Sequence, residues 1–304
     1  MQPRVGFVAS SLGAVALATA SAVGIAARRW RDDTQRLVDR LTRGAIGADG
    51  AMVSFAELDR LPKPVARFFR RVLIAGLPCI ETARIIQTGR LNLGETRDDW
   101  HAFDATQTYR VRSPGYVWDA RIHQAPFTHL SARDTYVAQR ATMRGSFLSL
   151  VDVVNAHDSH ELNEAALQRY LAEAVMFPTA LLPSGGVSWA PIDETHAWAT
   201  IVDGDATARL QFEFADTGEV AAVSSASRYR AKDRRYVSTP WGGRFRRYET
   251  AYAMRVPSEA EVYWVIDGMP RRYLSLTVRS FRYGFARPTN ASTNGASVGA
   301  SEHR

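Results

Sequence analysis

The sequence predicts an α+β fold: a long, strongly curved antiparallel sheet, an open or half barrel, with a central helix and additional N-terminal helices. Segments rich in β-forming residues follow one another from residue 79 onward, with turn residues between them. Apolar residues at helical spacing interrupt this series once, over residues 161–177. We expect about nine to eleven strands, and a sheet of that size tends to curl around whatever packs on one face.

The N-terminal region predicts helices. Asp32–Arg43 continues helically from an apolar segment, Ser54 begins a short helix, and Val65–Ile74 carries apolar residues at helical spacing. The chain therefore divides into an apolar segment (1–31), a helical region (32–78), the β domain (79–286) and a tail (287–304) that is rich in Asn, Ser, Gly and Ala and predicts disorder.

Alternation of apolar and polar residues, or enrichment in β-formers, predicts the strands. They are Ile85–Leu93, Trp100–Val111, Tyr116–His123, one or two strands in Thr135–Val154, Thr195–Val202, Asp205–Ala215, Glu219–Arg230, Glu261–Ile266 and Met269–Phe285. Asp203-Gly204 predicts a type I′ turn, which would bring Trp198 opposite Arg209 as a cation–π pair. Pro240–Gly243 predicts a loop carrying the aromatic side chain of Trp241.

The segment from Val5 to Ala27 contains no charged residue and no His. As a helix its 23 residues would be about 35 Å long, which exceeds a bilayer core of about 30 Å. The alternatives are a single-pass anchor, with Trp30 at the interface, and a signal peptide cleaved at a small-residue site. Cleavage would fall inside the apolar run, which favours the anchor. The arginines that follow favour a cytoplasmic body.

Composition excludes several classes of protein. Apolar residues make up 46% and charged residues 23% of the chain, as in globular proteins. The net charge is +7, but residues 151–220 carry twelve acidic and two basic side chains, and 225–285 carry five acidic and thirteen basic ones. Such blocks pair with each other or meet a membrane surface, so we expect no nucleic-acid partner. Cys79, the single cysteine, predicts a buried, inert thiol.

No motif for a catalytic triad, a phosphate loop, a zinc protease or a dinucleotide fold is present. His157–Glu161 is the densest polar cluster, but a helix cap explains it better than a metal site, because no third ligand is evident. The sequence implies no metal and no cofactor, and it leans away from an enzyme.

Five residues are the candidates for ligand binding. Asp119 lies among apolar neighbours in a strand, where a carboxylate needs a partner, and Arg121 is the expected one. Glu173 has Arg169 four residues earlier on the helix, either as a surface pair or as a carboxylate inside the curved sheet. Trp118, Tyr170 and Trp241 would supply aromatic lining.

Several motifs resemble a family of bacterial proteins of unknown function that usually carry an N-terminal hydrophobic segment. They are LPKPVARFF (61–69), SPGYVWDA (113–120), RDTY (133–136), RYLAEAVMFPTALL (169–182), VSWAPID (187–193) and Pro240-Trp241. The chain departs from the family pattern at Met176 and at Val137–Gln139. The resemblance implies a single domain and no known activity, and the predicted sheet is similar to lipoprotein-carrier half-barrels, which act outside the cytoplasm.

Three hypotheses follow for the function. The first is a membrane-anchored protein, held through residues 5–27, that binds a lipid or acyl chain on the concave face of the sheet. The second is a metal-independent enzyme that uses Asp119 and Glu173 in one cavity. The third is a structural or assembly factor at the membrane. The sequence does not determine the oligomeric state.

Overall fold

The computed structural model describes residues 5–44, 50–94, 97–126, 128–233 and 235–286. Its helices are α1 (Val5–Thr42), α2 (Lys63–Val72) and α3 (His160–Glu173). Its strands are β1 (Ile80–Asn92), β2 (Trp100–Arg110), β3 (Gly115–Ala125), β4 (Thr128–Val137), β5 (Arg140–Phe147), β6 (Val151–His157), β7 (Ser188–Pro191), β8 (His196–Asp203), β9 (Ala206–Phe214), β10 (Val220–Lys232), β11 (Arg235–Ala251), β12 (Met254–Ile266) and β13 (Met269–Phe285). The α+β class is confirmed; the predicted tail at 287–304 lies outside the described residues.

All 13 strands of the described chain belong to one antiparallel sheet, in the order β6-β5-β4-β3-β2-β1-β13-β12-β11-β10-β9-β8-β7. Strands that are consecutive in sequence pair with each other, and β1 pairs with β13 in the middle. Because the hairpin connections are short, the entropic cost of closing the loops is small. β6 and β7 are the two edges, and α3 followed by short 3-10 turns connects them.

The sheet curls until its two halves meet. In the turn between β4 and β5, Gln139 Nε2 donates a hydrogen bond to Oδ1 of Asp203, the last residue of β8, at 3.2 Å. Helix α3 lies inside the curl, where Leu167, Tyr170 and Leu171 are almost completely buried. The predicted curved sheet around a central helix is therefore confirmed. We call the face that contacts α3 the concave face and the opposite one the convex face.

The strand register of the β8–β9 hairpin differs from the prediction, but the predicted contact between Trp198 and Arg209 is present. Asp203 pairs with Ala206, so Gly204 and Asp205 are the turn residues. Only Gly204 has a positive φ, 61°, as at the first central position of a type II′ turn. Trp198 therefore lies opposite Gln211. The guanidinium carbon of Arg209 still lies 4.4 Å from the Trp198 ring centroid, because diagonal neighbours are within its reach.

The loop predicted at Pro240–Gly243 is wrong, because these residues lie within the 17-residue strand β11. Pro240 cannot donate to a ladder, but it lies opposite an irregularity in β10 where the pairing register shifts. A Cβ on Gly242 would come within 2.6 Å of the Tyr263 side chain, so this glycine permits close approach. Trp241 is 4% exposed and is part of the core.

Helix α1 is continuous from Val5 to Thr42 and packs by its C-terminal half on the convex face. Leu41 contacts Val117 and Val137 there. Trp30, expected at a membrane interface, is 5% exposed and packs against the sheet instead. Among the helices of the described residues, none combines the length and the apolar character of a membrane span.

Candidate functional site

The concave face carries a polar cluster that links α3 to the sheet. Arg169 Nε is 2.9 Å from Glu173 Oε1, and Arg169 Nη1 is 2.8 Å from Asp134 Oδ2 on β4. The second oxygen of Glu173 accepts hydrogen bonds from Gln107 Nε2 at 2.8 Å and from the Tyr109 hydroxyl at 3.1 Å. We call these five residues the polar cluster. Each carboxylate oxygen named here has a donor, so the arrangement holds α3 in place.

Local sequence explains why α3 reaches this position. Ser159 Oγ accepts the backbone N–H of Leu162 at 3.2 Å and begins the helix, as expected. Asn163 Oδ1 accepts from the Ala141 N–H at 2.7 Å, which ties the first turn to β5. One face of the helix then buries the hydroxyl of Tyr170 against the carbonyl of Val111.

Aromatic rings and buried amides surround the cluster. The guanidinium of Arg169 lies 5.2 Å from the Tyr116 ring and 5.1 Å from the Trp118 ring. Trp118 Nε1 donates to Gln87 Oε1 at 3.4 Å, and Gln87 Nε2 donates to Gln107 Oε1 at 3.3 Å. The two amides are almost completely buried, so each depends on the other for hydrogen bonding.

Burial dominates the electrostatics of the cluster. It raises the pKa of Asp134 above the ordinary value, although Arg169 opposes the shift. Burial alone would lower the pKa of Arg169, but electrostatic interactions with Glu173, then Tyr116 and then Asp134 raise it well above the usual range. Burial also raises the pKa of Tyr109. Arg169 is thus a permanent cation held by two carboxyl groups.

A second group of cations faces the concave side from β10. The Arg228 guanidinium lies 4.8 Å from the Trp241 ring and 5.3 Å from the Trp264 ring. The Arg230 guanidinium lies 5.9 Å from the same Trp264 ring. We call Arg228 and Arg230 the arginine pair. Trp264 stacks on Tyr273, which accepts a hydrogen bond from Trp241 Nε1 at 3.1 Å, so the aromatic bed is fixed.

Apolar side chains remain accessible on the concave face where β3 ends and β4 begins, which we call the open end. Phe147 is 40% exposed and Val154 is 45% exposed, and the pairing of the strands puts both on this face. We define the apolar patch as Leu130, Met143, Phe147, Val151 and Val154. A row of small residues, Ala105, Ala120, Ala132 and Gly145, crosses β2 to β5 beside it.

A surface cavity lies elsewhere. It measures about 590 Å³ and lies on the convex face, across β1, β2, β11, β12 and β13. Its lining residues are mostly polar or charged, including Arg246, Glu261 and Arg279, and several of them pair with one another. The cavity lies away from the accessible apolar side chains of the concave face, and its charged lining does not suit the ligand class that the sequence suggested.

Four of the five candidate residues lie in the concave interior: Trp118, Tyr170, Glu173 and Trp241. Glu173 is part of the polar cluster, which resolves the two alternatives for its pair with Arg169. Tyr170 is 1% exposed and its hydroxyl donates to the carbonyl of Val111, so this residue holds the helix against the sheet.

Asp119, the fifth candidate, does not lie with the other four, because it is on the convex face. It accepts a hydrogen bond from Trp30 Nε1 at 2.7 Å and has Arg133 beside it, and the expected partner Arg121 instead contacts His129. Successive residues of a strand point to opposite faces, so Trp118 and Asp119 do not line one site. Asp119 and Glu173 therefore do not form a catalytic pair in one cavity.

Sequence analysis missed Asp134 and the arginine pair. Asp134 lies between Ala132 and Tyr136 in a strand, and this alternation was an available signal for its concave position. Burial and nearby Glu57 raise the pKa of Cys79 to about 11, in agreement with an unreactive thiol. Within the described chain, no three His, Cys, Asp or Glu side chains converge as a metal site would need.

Comparisons with solved structures find distant likenesses. A LolA superfamily protein from Nitrosomonas europaea is 9% identical, with a TM-score of 0.36, over 74% of this chain and 93% of that one. A β-barrel-like protein of the family of unknown function DUF1849 from Brucella abortus is 8% identical, with a TM-score of 0.22, over 68% and 99%. A porin-like protein from Bacteroides uniformis is 9% identical, with a TM-score of 0.22, over 68% and 96%.

No curated protein sequence matches the chain. A family model matches residues 59–283, about three quarters of the chain, and this region contains every motif on which the resemblance to a family of unknown function rests. The chain therefore belongs to DUF6920, a family of unknown function.

Proposed function

We propose that this protein binds an apolar ligand, a lipid or an acyl chain, on the concave face of its sheet. The observation that carries the proposal is the accessible apolar patch at the open end. Helix α3 covers the neighbouring part of the concave face, where side chains such as Tyr109, Tyr116 and Trp118 are almost completely buried. Clustered apolar side chains that remain accessible on a concave surface are typical of a binding site.

The shape of this surface suits an extended chain. A row of small side chains, Ala105, Ala120, Ala132 and Gly145, runs beside the apolar patch between larger neighbours such as Trp118 and Ile122. The row crosses four strands, a distance of about 14 Å at the usual strand spacing. On the opposite wall, Leu274 is half-buried and faces the same space.

We propose further that residues 5–27 anchor the protein in a membrane. Helix α1 runs from Leu41, which contacts Gly115 at the start of β3, to Trp30, which contacts Asp119 in the middle of that strand. Toward its N-terminus the helix therefore advances in the direction of the open end. An anchor in this position would hold the apolar patch near the bilayer, from which a lipid could enter. The flanking arginines favour a cytoplasmic body.

The test is photo-crosslinking of the full chain in phosphatidylcholine vesicles that contain a photoactivatable fatty acid, with mass spectrometry to locate the label. We expect label on β3 to β6. Val154→Glu places a charge in the apolar patch and should weaken labelling at least about tenfold. The matched control is Val202→Glu, because Val202 is at least as accessible as Val154 but lies on the convex face of β8.

The labelling pattern distinguishes binding at the concave face from non-specific labelling. Labelling of β3 to β6 that Val154→Glu abolishes and Val202→Glu leaves intact supports the proposal. Equal labelling in all three proteins, or label spread over the convex face, contradicts it.

A further inference from the structure

The arginine pair is a concentration of positive charge without a matching carboxylate. Among the described residues neither Arg228 nor Arg230 forms an ion pair, although 18 ion pairs exist elsewhere in that part of the chain. To other described residues Arg228 donates one hydrogen bond, from Nη2 to the carbonyl of Ala165 at 3.1 Å, and Arg230 donates none. The Nε atoms of both are buried without an acceptor. Most of their N–H donors are therefore unused.

The nearby carboxylates do not neutralise this pair. Asp134 lies close enough to sense the charge of Arg228, but its oxygen is bonded to Arg169. Glu173 is held by Arg169, Gln107 and Tyr109. The polar cluster contains one cation and two carboxylates, so it offsets at most one of the two positive charges of the arginine pair, and the other charge is left over.

We infer that the concave face binds an anionic amphiphile, a single acyl chain with a carboxylate or phosphate head group, and that the arginine pair binds the head group. The inference rests on the proposed function and adds the polar end of the ligand to it. Guanidinium groups present planar, paired donors that match carboxylate and phosphate oxygens. Trp241 and Trp264 hold the two guanidinium groups against the wall, which reduces the entropy lost when they bind an anion.

The position of the pair agrees with this assignment. Arg228 is bonded to α3 at Ala165, one helical turn before Arg169. Arg169 contacts two rings on β3 and the carboxylate of Asp134 on β4. The arginine pair therefore lies on the wall formed by β10, across α3 from the wall with the apolar patch. An acyl chain on the patch and its head group on the arginine pair would span the concave face above the helix.

The experiment compares three photoactivatable probes with the same 16-carbon chain: the carboxylate, the alcohol and the trimethylammonium. The full chain is used in phosphatidylcholine vesicles, and the concentration of half-maximal labelling of the concave strands is measured. We expect the carboxylate to label at a concentration about tenfold lower than the alcohol, the ratio expected from one charged hydrogen bond, and the trimethylammonium to label least.

Arg230→Gln and the double variant Arg228→Gln, Arg230→Gln should remove the advantage of the carboxylate. The matched control is Arg244→Gln, because Arg244 lies over the ring of Tyr263 at 5.2 Å but on the convex face. This control should keep the advantage. If the double variant does not fold, Arg230→Gln decides alone, because Arg230 gives up no hydrogen bond within the described residues.

Equal labelling by carboxylate and alcohol in the wild type overturns this inference and leaves the proposed function standing. No labelling of the concave strands by any probe overturns both. An advantage that survives in the double variant assigns the head group to another site and overturns the inference. Inorganic phosphate distinguishes the ligand from a free anion: if phosphate at the probe concentration blocks the carboxylate, the site takes the anion alone and the inference is wrong.

Discussion

Two groups of arginines face the same concave space and differ in their partners. Arg169 is bonded to the carboxylates of Asp134 and Glu173, and Glu173 also accepts hydrogen bonds from Gln107 and Tyr109. Arg228 and Arg230 lie on tryptophan rings and have no carboxylate in the described structure. A charge that is fully paired inside a protein holds the fold, whereas a charge left without its counter-ion is available to a ligand.

The largest expected effect comes from removing the paired arginine. Arg169→Met leaves Asp134 and Glu173 near each other without their cation, and we expect a loss of about 3–5 kcal/mol in the free energy of unfolding. Urea denaturation followed by tryptophan fluorescence measures it. A triple variant that also replaces both carboxylates with leucine should recover much of the loss. A loss below about 1 kcal/mol in the single variant would contradict a structural role for the pair.

A smaller effect is expected from the unpaired arginine. Arg228→Met removes one hydrogen bond and two ring contacts but strands no carboxylate, so the free energy of unfolding should fall by about 1 kcal/mol. The same urea experiment compares it with Arg169→Met. If both variants lost the same stability, the distinction between the two arginine groups would be wrong.

The smallest effect concerns a carboxylate on the convex face. Burial raises the pKa of Asp119, although the Trp30 hydrogen bond and Arg133 oppose the shift. The folded state therefore holds this proton more tightly than the unfolded state, and the contribution of Asp119 to stability falls as pH rises from its ordinary pKa through the raised one. Asp119→Asn should remove this part of the pH dependence. Unfolding curves measured at several pH values between 4 and 7 test it. The same dependence of the free energy of unfolding on pH in both proteins would contradict the prediction.

Much of the fold could be predicted because its signals are local. The alternation in β9 and the Asp-Gly pairs define hairpins without reference to the rest of the chain. The apolar spacing of residues 161–177 predicted a helix. In the sequence this helix lies between two groups of strands, so it has to cross the sheet to connect them. By contrast, β11 was missed at Pro240–Gly243, since proline and glycine are turn residues unless a neighbouring strand provides a place for them.

The site was less accessible to prediction, and β10 shows why. Simple alternation from Val223 would turn residues 227 and 229 toward the concave face. The register shift between Ser225 and Arg228 changes this parity, so that Arg228 and Arg230 face inward. Such an irregularity depends on the partner strand β11, and nothing in the sequence of β10 alone reveals it.

The sequence by itself determined the class of the fold, the helix within the sheet and the pairing of Arg169 with Glu173, because these depend on residues close together in the chain. Tertiary structure decided which carboxylate faces the interior, that Trp30 packs on the convex face and that the arginine pair forms no ion pair with any described residue. Those outcomes depend on side chains from distant strands and helices, and burial and charge become defined only when the curled sheet brings them together.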